Sequence, residues 1–259
     1  MKLVDSHSHL FLEEFSEDLP QVMERARAAG LTHIFMPNID STTIQPMLSV
    51  AEAYQDFCYP MIGLHPTSVD ESYEKELSIV SQHLSAPNHF VAIGEIGIDL
   101  YWDKTYLKEQ LAAFEKQIEW ALEYHLPIVI HSRDSFKEIY NVLTAYKNTP
   151  LTGIFHSFTG TVEEAESLLE FSGFMLGING VITFKKSTLP QVLSMVPIQR
   201  VVLETDSPYL TPVPNRGKRN ESANLKDTLL KVSEIYQILP EITAKITSEN
   251  ALKVFGMLK

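Results

Sequence analysis

Of the nine histidines in the 259-residue chain, five stand just past short apolar runs, beside carboxylates or other polar residues. Asp5-Ser6-His7-Ser8-His9 follows the first such run. Gly63-Leu64-His65-Pro66 closes the third, Gly94-Glu95-Ile96-Gly97 the fourth and His131-Ser132-Arg133-Asp134 the fifth. His156-Ser157-Phe158 closes the sixth and Glu204-Thr205-Asp206-Ser207-Pro208 the eighth. Residues i and i+2 of an extended segment point to the same side, so His7 and His9 can bring two imidazoles to one ion. A lone His-x-His is weak evidence. Single histidines at two later strand ends and carboxylates at two others change its weight. The resulting set is His7, His9, His131, His156, Glu95 and Asp206. Four imidazoles and two carboxylates are too many for one tetrahedral ion and suit two ions sharing a bridge. The competing reading makes His131 and His156 satisfied core histidines and Glu95 and Asp206 helix caps. It serves any one of them and explains poorly why all six fall at the same kind of place. His33, His83, His89 and His125 lie on helices or at strand starts and read as ordinary.

Eight apolar runs carry these ends: Lys2–Asp5, His33–Met36, Tyr59–Leu64, Phe90–Gly94, Pro127–Ile130, Thr152–Phe155, Phe174–Ile178 and Arg200–Leu203. Their centres are about 22 to 37 residues apart, the length of a strand–helix unit. Amphipathic segments lie between them: Asp18–Ala29, Ser41–Tyr54, Lys104–Tyr124, Asp134–Tyr146, Thr161–Phe171, Leu189–Val196, Ala223–Gln237 and Ile242–Phe255. Alternating strand and helix implies parallel strands with right-handed crossovers. Eight units close naturally into a (β/α)8 TIM barrel, an α/β fold occupying 1–259 as a single domain. No G-x-G-x-x-G follows any strand, which counts against an open doubly wound sheet. In a barrel the C-terminal strand ends meet on one face, where the reactive residues then gather.

Composition narrows the function classes. Hydrophobic residues are 44% and charged residues 21%, a globular balance. With 21 Lys+Arg against 33 Asp+Glu the formal charge is −12, which argues against charge-driven coating of nucleic acid. The single cysteine, Cys58, excludes an intramolecular disulfide framework and any multi-cysteine zinc site. The first 20 residues hold no apolar leader core, and no run of about 18 uncharged apolar residues occurs. The expected location is the cytoplasm, with no membrane association and no obligate protein partner.

The ordered motifs resemble the TatD family of metal-dependent deoxyribonucleases, within the amidohydrolase-type barrels. They are Asp5-Ser6-His7-Ser8-His9-Leu10, Gly63-Leu64-His65-Pro66, Ile93-Gly94-Glu95-Ile96-Gly97-Ile98-Asp99, His131-Ser132-Arg133-Asp134, Phe155-His156-Ser157-Phe158-Thr159-Gly160 and Gly180-Val181-Ile182-Thr183-Phe184-Lys185. Later come Leu203-Glu204-Thr205-Asp206-Ser207-Pro208-Tyr209-Leu210 and Arg216-Gly217-Lys218-Arg219-Asn220-Glu221. Two departures are Ser222, where the family usually has Pro, and Leu100-Tyr101, where it usually has Tyr-Tyr. Neither is a candidate ligand. The resemblance implies that His7, His9, Asp206 and Glu95 hold one divalent ion. It implies that His131 and His156, with the other oxygen of Glu95, hold a second. It places His65 beside the pair, facing the substrate phosphate.

The implied activity is an exonuclease-type deoxyribonuclease acting on single-stranded DNA or 3′ ends. Two cations neutralise the phosphate, lower the pKa of a water and stabilise the leaving oxygen. Asp206 is the expected proton acceptor, with Glu95 between the ions and His65 as a donor to the phosphate or the leaving oxygen. Glu204, two residues before Asp206, is either an orienter of a histidine ligand or a buried partner of a basic residue. Zinc, manganese or magnesium are the candidate metals; imidazoles favour the first two, and family members work with the third. His65, Arg133, Arg216, Lys218 and Arg219 are the expected substrate contacts. The alternative is hydrolysis of a small amide, lactone or phosphoester on the same metal pair, which would not need the basic loop. A non-catalytic metal-binding protein is a third reading, and the full ligand set beside His65 counts against it.

Overall fold

The structure, a computed structural model, describes residues 1–87 and 89–258. Eight parallel strands form the fold: β1 (Leu3–Asp5), β2 (Leu31–Met36), β3 (Cys58–Pro60), β4 (Ile93–Asp99), β5 (Ile128–Arg133), β6 (Gly153–Phe155), β7 (Phe174–Ile178) and β8 (Val201–Leu203). They make two arcs, β1 to β3 and β4 to β8. Two seams join the arcs. At one, Gly94 N donates to Ile62 O at 2.9 Å and Ile62 N to Ala92 O at 3.2 Å. At the other, Ser6 N donates to Leu203 O at 3.1 Å, Asp206 N to His7 O at 2.9 Å and His9 N to Ser207 O at 2.7 Å. The ring is a (β/α)8 barrel. The Asp5 carboxylate reinforces the second seam by accepting from Thr205 N at 2.9 Å and Thr205 Oγ1 at 2.6 Å.

The helices are α1 (Leu19–Ala28), α2 (Ser41–Ala53), α3 (Tyr73–Ser85), α4 (Leu107–Tyr124), α5 (Phe136–Thr144), α6 (Val162–Leu169), α7 (Leu189–Leu193), α8 (Leu225–Tyr236) and α9 (Pro240–Val254). Capping boxes start two of them, Asp40 with Thr43 on α2 and Thr161 with Glu164 on α6. The strand–helix alternation is as the sequence predicts, with one added helix and shifted strand bounds: the run expected at Tyr59–Leu64 is a strand over Cys58–Pro60, and that at Pro127–Ile130 one over Ile128–Arg133. The run expected at Phe90–Gly94 is a strand over Ile93–Asp99, because a fully buried barrel strand continues through Glu95 and Asp99. Helix α3 was not among the expected segments. Its buried Leu77, Val80 and Leu84 follow helical spacing, but the acidic and serine-rich residues between them dilute the pattern.

Strand residues alternate between two apolar layers. Ile34, Ile128, Ile130, Val201 and Leu203 face the helices. Val4, Phe35, Val129, Ile154, Met175 and Val202, with Met61 and Ala92 beside β3 and β4, form a separate interior cluster. Ala251 and Val254 of α9 and the following Phe255 join that cluster and plug the barrel from below. Phe255 stacks on Phe35 with ring centroids 3.7 Å apart. No helix among the described residues is long and apolar enough to cross a membrane.

Candidate metal centre

Two residues beyond the interior cluster, the same strands change chemistry. Val129 is followed at i+2 by His131, Ile154 by His156 and Val202 by Glu204, so period-two alternation carries each polar side chain into the barrel mouth. Glu95, Gly97 and Asp99 alternate likewise on β4. Gly97 has φ 140°, and a Cβ there would meet the His131 carbonyl oxygen. A Cβ on Gly177 would meet Glu204 Oε2. The two glycines give the Glu204 carboxylate and the His131 backbone of neighbouring strands their space. Asp206 also adopts a left-handed backbone, φ 56°, which turns the chain back over the mouth.

Glu95 sits at the centre. Its Oε2 lies 3.1 Å from His7 Nε2 and 3.7 Å from His9 Nε2. Its Oε1 lies 2.9 Å from His131 Nδ1, 3.5 Å from His65 Nε2 and 3.7 Å from His156 Nε2. Asp206 Oδ1 is 3.7 Å from His7 Nε2 and 3.6 Å from both His9 Nε2 and His156 Nε2. The His7 and His156 rings stack at 3.4 Å. All six residues expected as ligands therefore converge, and His65 stands with them.

Hydrogen bonds on the outer nitrogens assign the roles of the inner ones. His131 lies between two carboxylates, with Nε2 2.9 Å from Asp99 Oδ2 and Nδ1 2.9 Å from Glu95 Oε1, so Asp99 fixes the ring with Nδ1 turned to the site. His156 Nδ1 is 3.0 Å from Glu204 Oε1, an ion-pair contact, and Nε2 faces the site. Glu204 thus contacts a histidine, the arrangement the first of its two expected readings requires. His65 is different. Its Nδ1 accepts from Thr67 N at 3.1 Å, so in the neutral ring the proton is on Nε2, pointing inward. Although His65 groups spatially with Glu95 and His131, this tautomer makes it a hydrogen-bond donor and not a ligand.

Electrostatics favour a cation here. Burial opposes the charge on Glu95, but His7, His65, His156 and the His131 hydrogen bond hold its carboxyl well below the usual range. Burial likewise opposes ionisation of Asp206, and His156, His9 and His7 outweigh it. Burial pushes His7 down to about 4, which keeps its lone pair free. At His156 burial is outweighed by Glu204, Glu95 and Asp206, and the value rises to about 10. His7 Nε2 and His9 Nε2 stand 3.2 Å apart, a spacing at which two imidazole nitrogens share either a proton or a cation. Imidazole nitrogens and carboxylate oxygens in this ratio fit divalent metal ions.

The expected substrate contacts separate into two groups. Arg133 and His65 line a cavity of about 730 Å³ that also includes His9, Glu95, His131, His156 and Asp206. Arg216, Lys218 and Arg219 do not line it. Arg219 makes a two-point ion pair with Asp18 at 2.8 Å, donates to the Glu14 carbonyl and lies over Phe15. Arg216 is exposed, its guanidinium 3.7 Å from the Phe184 ring centroid. Asp99 and Asn220 were missed. Extending the His7/His9 alternation along β4 would have found Asp99. Asn220 is buried and donates to Thr205 O at 2.9 Å and Tyr209 O at 2.7 Å, clamping the Asp206 turn. Nothing in its local sequence signals that.

A barrel of this topology with imidazoles and carboxylates converging at its C-terminal mouth defines a metal-dependent hydrolase. The family model for TatD-related DNases matches residues 4–256. The chain belongs to that family. It is 38% identical to the uncharacterized metal-dependent hydrolase YabD of Bacillus subtilis over 254 residues, 98% of each chain. It is 30% identical to the 3′-5′ ssDNA/RNA exonuclease TatD of Pantoea ananatis over 262 residues, covering 99% of this chain and all of that one. Among solved structures, the TatD homologue YjjV of Escherichia coli superposes with a TM-score of 0.91 at 27% identity over 98% of both chains.

Proposed function

We propose that this metal-dependent hydrolase is an exonuclease that cleaves phosphodiester bonds at the ends of single-stranded DNA, with two divalent ions at the barrel mouth. The observation that carries the reading is that the two oxygens of Glu95 face two separate sets of imidazole nitrogens. His7, His9 and Asp206 with Oε2 would hold one ion, and His131 and His156 with Oε1 the other. When bound, the ions neutralise the phosphate and acidify the attacking water. Asp206, ionised and beside three imidazoles, takes the proton of that water. The inward Nε2–H of His65 donates to a phosphate oxygen or to the leaving oxygen. Asp99 and Glu204 fix the rings of His131 and His156 so that no reorientation accompanies the reaction. Arg133, at the cavity wall, supplies positive charge for a phosphate next to the scissile one. The named activity of the Pantoea relative supports the same substrate class and extends it to RNA.

The test is metal reconstitution of the purified chain, followed by elemental analysis and assays on single-stranded DNA, RNA, duplex DNA and small phosphoesters and lactones. The expected result is up to two ions per chain, fewer in Glu95→Ala, and turnover on single-stranded nucleic acid. Activity confined to the small esters would overturn the nucleolytic assignment, and full retention of both ions by Glu95→Ala would overturn the bridge.

A further inference from the structure

The chain has two tryptophans and uses them in opposite ways. Trp120 is buried on α4, whereas Trp102, in the loop after β4, leaves 70% of its surface in water at the edge of the metal-centre cavity. A large exposed indole on a loop needs a reason, and here the loop is held in place by several contacts. Asp99 Oδ1 accepts from Tyr101 N at 3.0 Å and Trp102 N at 3.2 Å. The Tyr101 and Trp102 rings meet edge to face, 4.9 Å apart at 88°. The Arg133 guanidinium lies 3.8 Å from the Tyr101 ring centroid and 5.3 Å from that of Trp102. Leu100 N donates to Arg133 O at 2.9 Å and ties the two strand ends together.

We propose that Trp102, braced by Tyr101 and Arg133, is a stacking platform for an unpaired nucleobase next to the scissile phosphodiester. The inference rests on the nucleolytic reading above and specifies how that site would choose its substrate. Three features point to a base rather than another ligand. Trp102 and Arg133 line the same cavity as Glu95 and His131, so a group stacked there is continuous with the reacting phosphate. The guanidinium beside the indole offers a charge to the sugar–phosphate while the ring takes the base, the combination used to grip single strands. The net charge of −12 removes general attraction to a polyanion, so affinity must come from local contacts of this kind. Bases of a duplex are already stacked and paired. A flat face at the cavity mouth therefore selects frayed or single-stranded ends. Tyr209, half exposed and 6.4 Å from the His9 ring, lines the same cavity.

Asp99 gives the platform a further property. One carboxylate oxygen holds the Tyr101–Trp102 backbone and the other holds His131 Nε2. A base pressing on the loop is therefore in register with a ligand of the metal centre.

The experiment uses the full metal-loaded chain and single strands of about ten nucleotides, within the site sizes of single-strand binders. One strand is intact, one is abasic at the 3′-terminal nucleotide and one is abasic at the next. Trp102→Ala is expected to raise KM for the intact strand about 10-fold with little change in kcat, and Trp102→Phe to keep most of the wild-type KM. On one of the abasic strands wild type and Trp102→Ala should have the same KM. In an Asp206→Asn background, the intact strand should quench tryptophan fluorescence, and the quench should vanish with Trp102→Ala. Wild-type KM in Trp102→Ala, on a strand that the enzyme does degrade, overturns the platform and leaves the nuclease standing. So does an equal rise on every strand, abasic ones included. A wild-type enzyme that hydrolyses small esters and no nucleic acid overturns both.

Discussion

The floor and the mouth of the barrel are built from the same strands two residues apart, and they obey opposite rules. At the floor, Phe35, Val129, Ile154 and Val202 form one apolar cluster with Phe255, which stacks on Phe35. At the mouth, Glu95, His7, His9 and His156 are buried too, but what they bury is charge and polar nitrogen, with Glu95 3.1 Å from His7 and 3.7 Å from His156. Burying apolar area stabilises by about 25 cal/mol per Å², so the floor contributes to folding. Burying carboxylates and imidazoles costs stability unless a cation joins them. The ring of strands holds the mouth in a geometry its own side chains would not choose. A hydrolase of this type places its chemistry on a scaffold stabilised elsewhere.

The strongest way to break this comparison is to alter one region and read both functions. Asp206→Asn keeps the shape of the side chain and removes its ability to take a proton. kcat is expected to fall by about 10²–10⁴-fold, with thermal stability unchanged or raised. A drop of several degrees in Tm would mean that the mouth also supports the fold. Phe35→Ala is the converse. It removes a fully buried ring stacked on Phe255, and a loss of about 3–5 kcal/mol in denaturant titration is expected. Turnover per folded molecule should be kept; a selective loss of kcat would sink the division of labour.

Smaller effects sharpen the boundary. Asp99→Asn and Glu204→Gln leave the ligand set intact and weaken the hold on His131 and His156. Metal affinity measured by chelator competition is expected to fall about 10–100-fold. No change would mean that the rings orient without these carboxylates. The smallest effect is at Cys58, buried in the layer between barrel and helices, where burial pushes the thiol from 9.0 up to about 12. The fold holds the proton longer than the unfolded chain does. Stability is therefore complete below pH 9.0 and declines as the pH climbs toward about 12. At pH 8 a thiol reagent should label Cys58 only when the chain opens. The labelling rate should rise in Phe35→Ala and stay unchanged in Asp206→Asn.

Much of this was legible before the structure, and the reason is periodicity. The β-branched runs and their spacing identify the barrel, and the residues just past six of the runs identify the mouth. What escaped notice depends on chain separation or on pattern dilution. Asp99 lies inside a strand that runs past Glu95, because the barrel interior, and not solvent, receives it. Helix α3 hides among serines and glutamates. Asn220 reaches Thr205 and Tyr209 across a loop with no repeat. The basic loop shows the limit of reading charge from sequence. Arg219 looked like a phosphate contact, but Asp18, 201 positions earlier, holds it in an ion pair.

The seam between β1 and β8 also has a meaning in time. Thr205 N reaches the Asp5 carboxylate across 200 residues of chain. At 5–20 residues per second, about 10–40 s of synthesis separate the appearance of the two partners on the ribosome. His7 and His9 emerge first, and the turn that carries Asp206 emerges last among the ligands. Until that turn docks against the first strand, the growing polypeptide has histidines but no assembled centre. A product cut short before Asp206 has no closed ring, and the seam forms only after β8 and the turn behind it have been made.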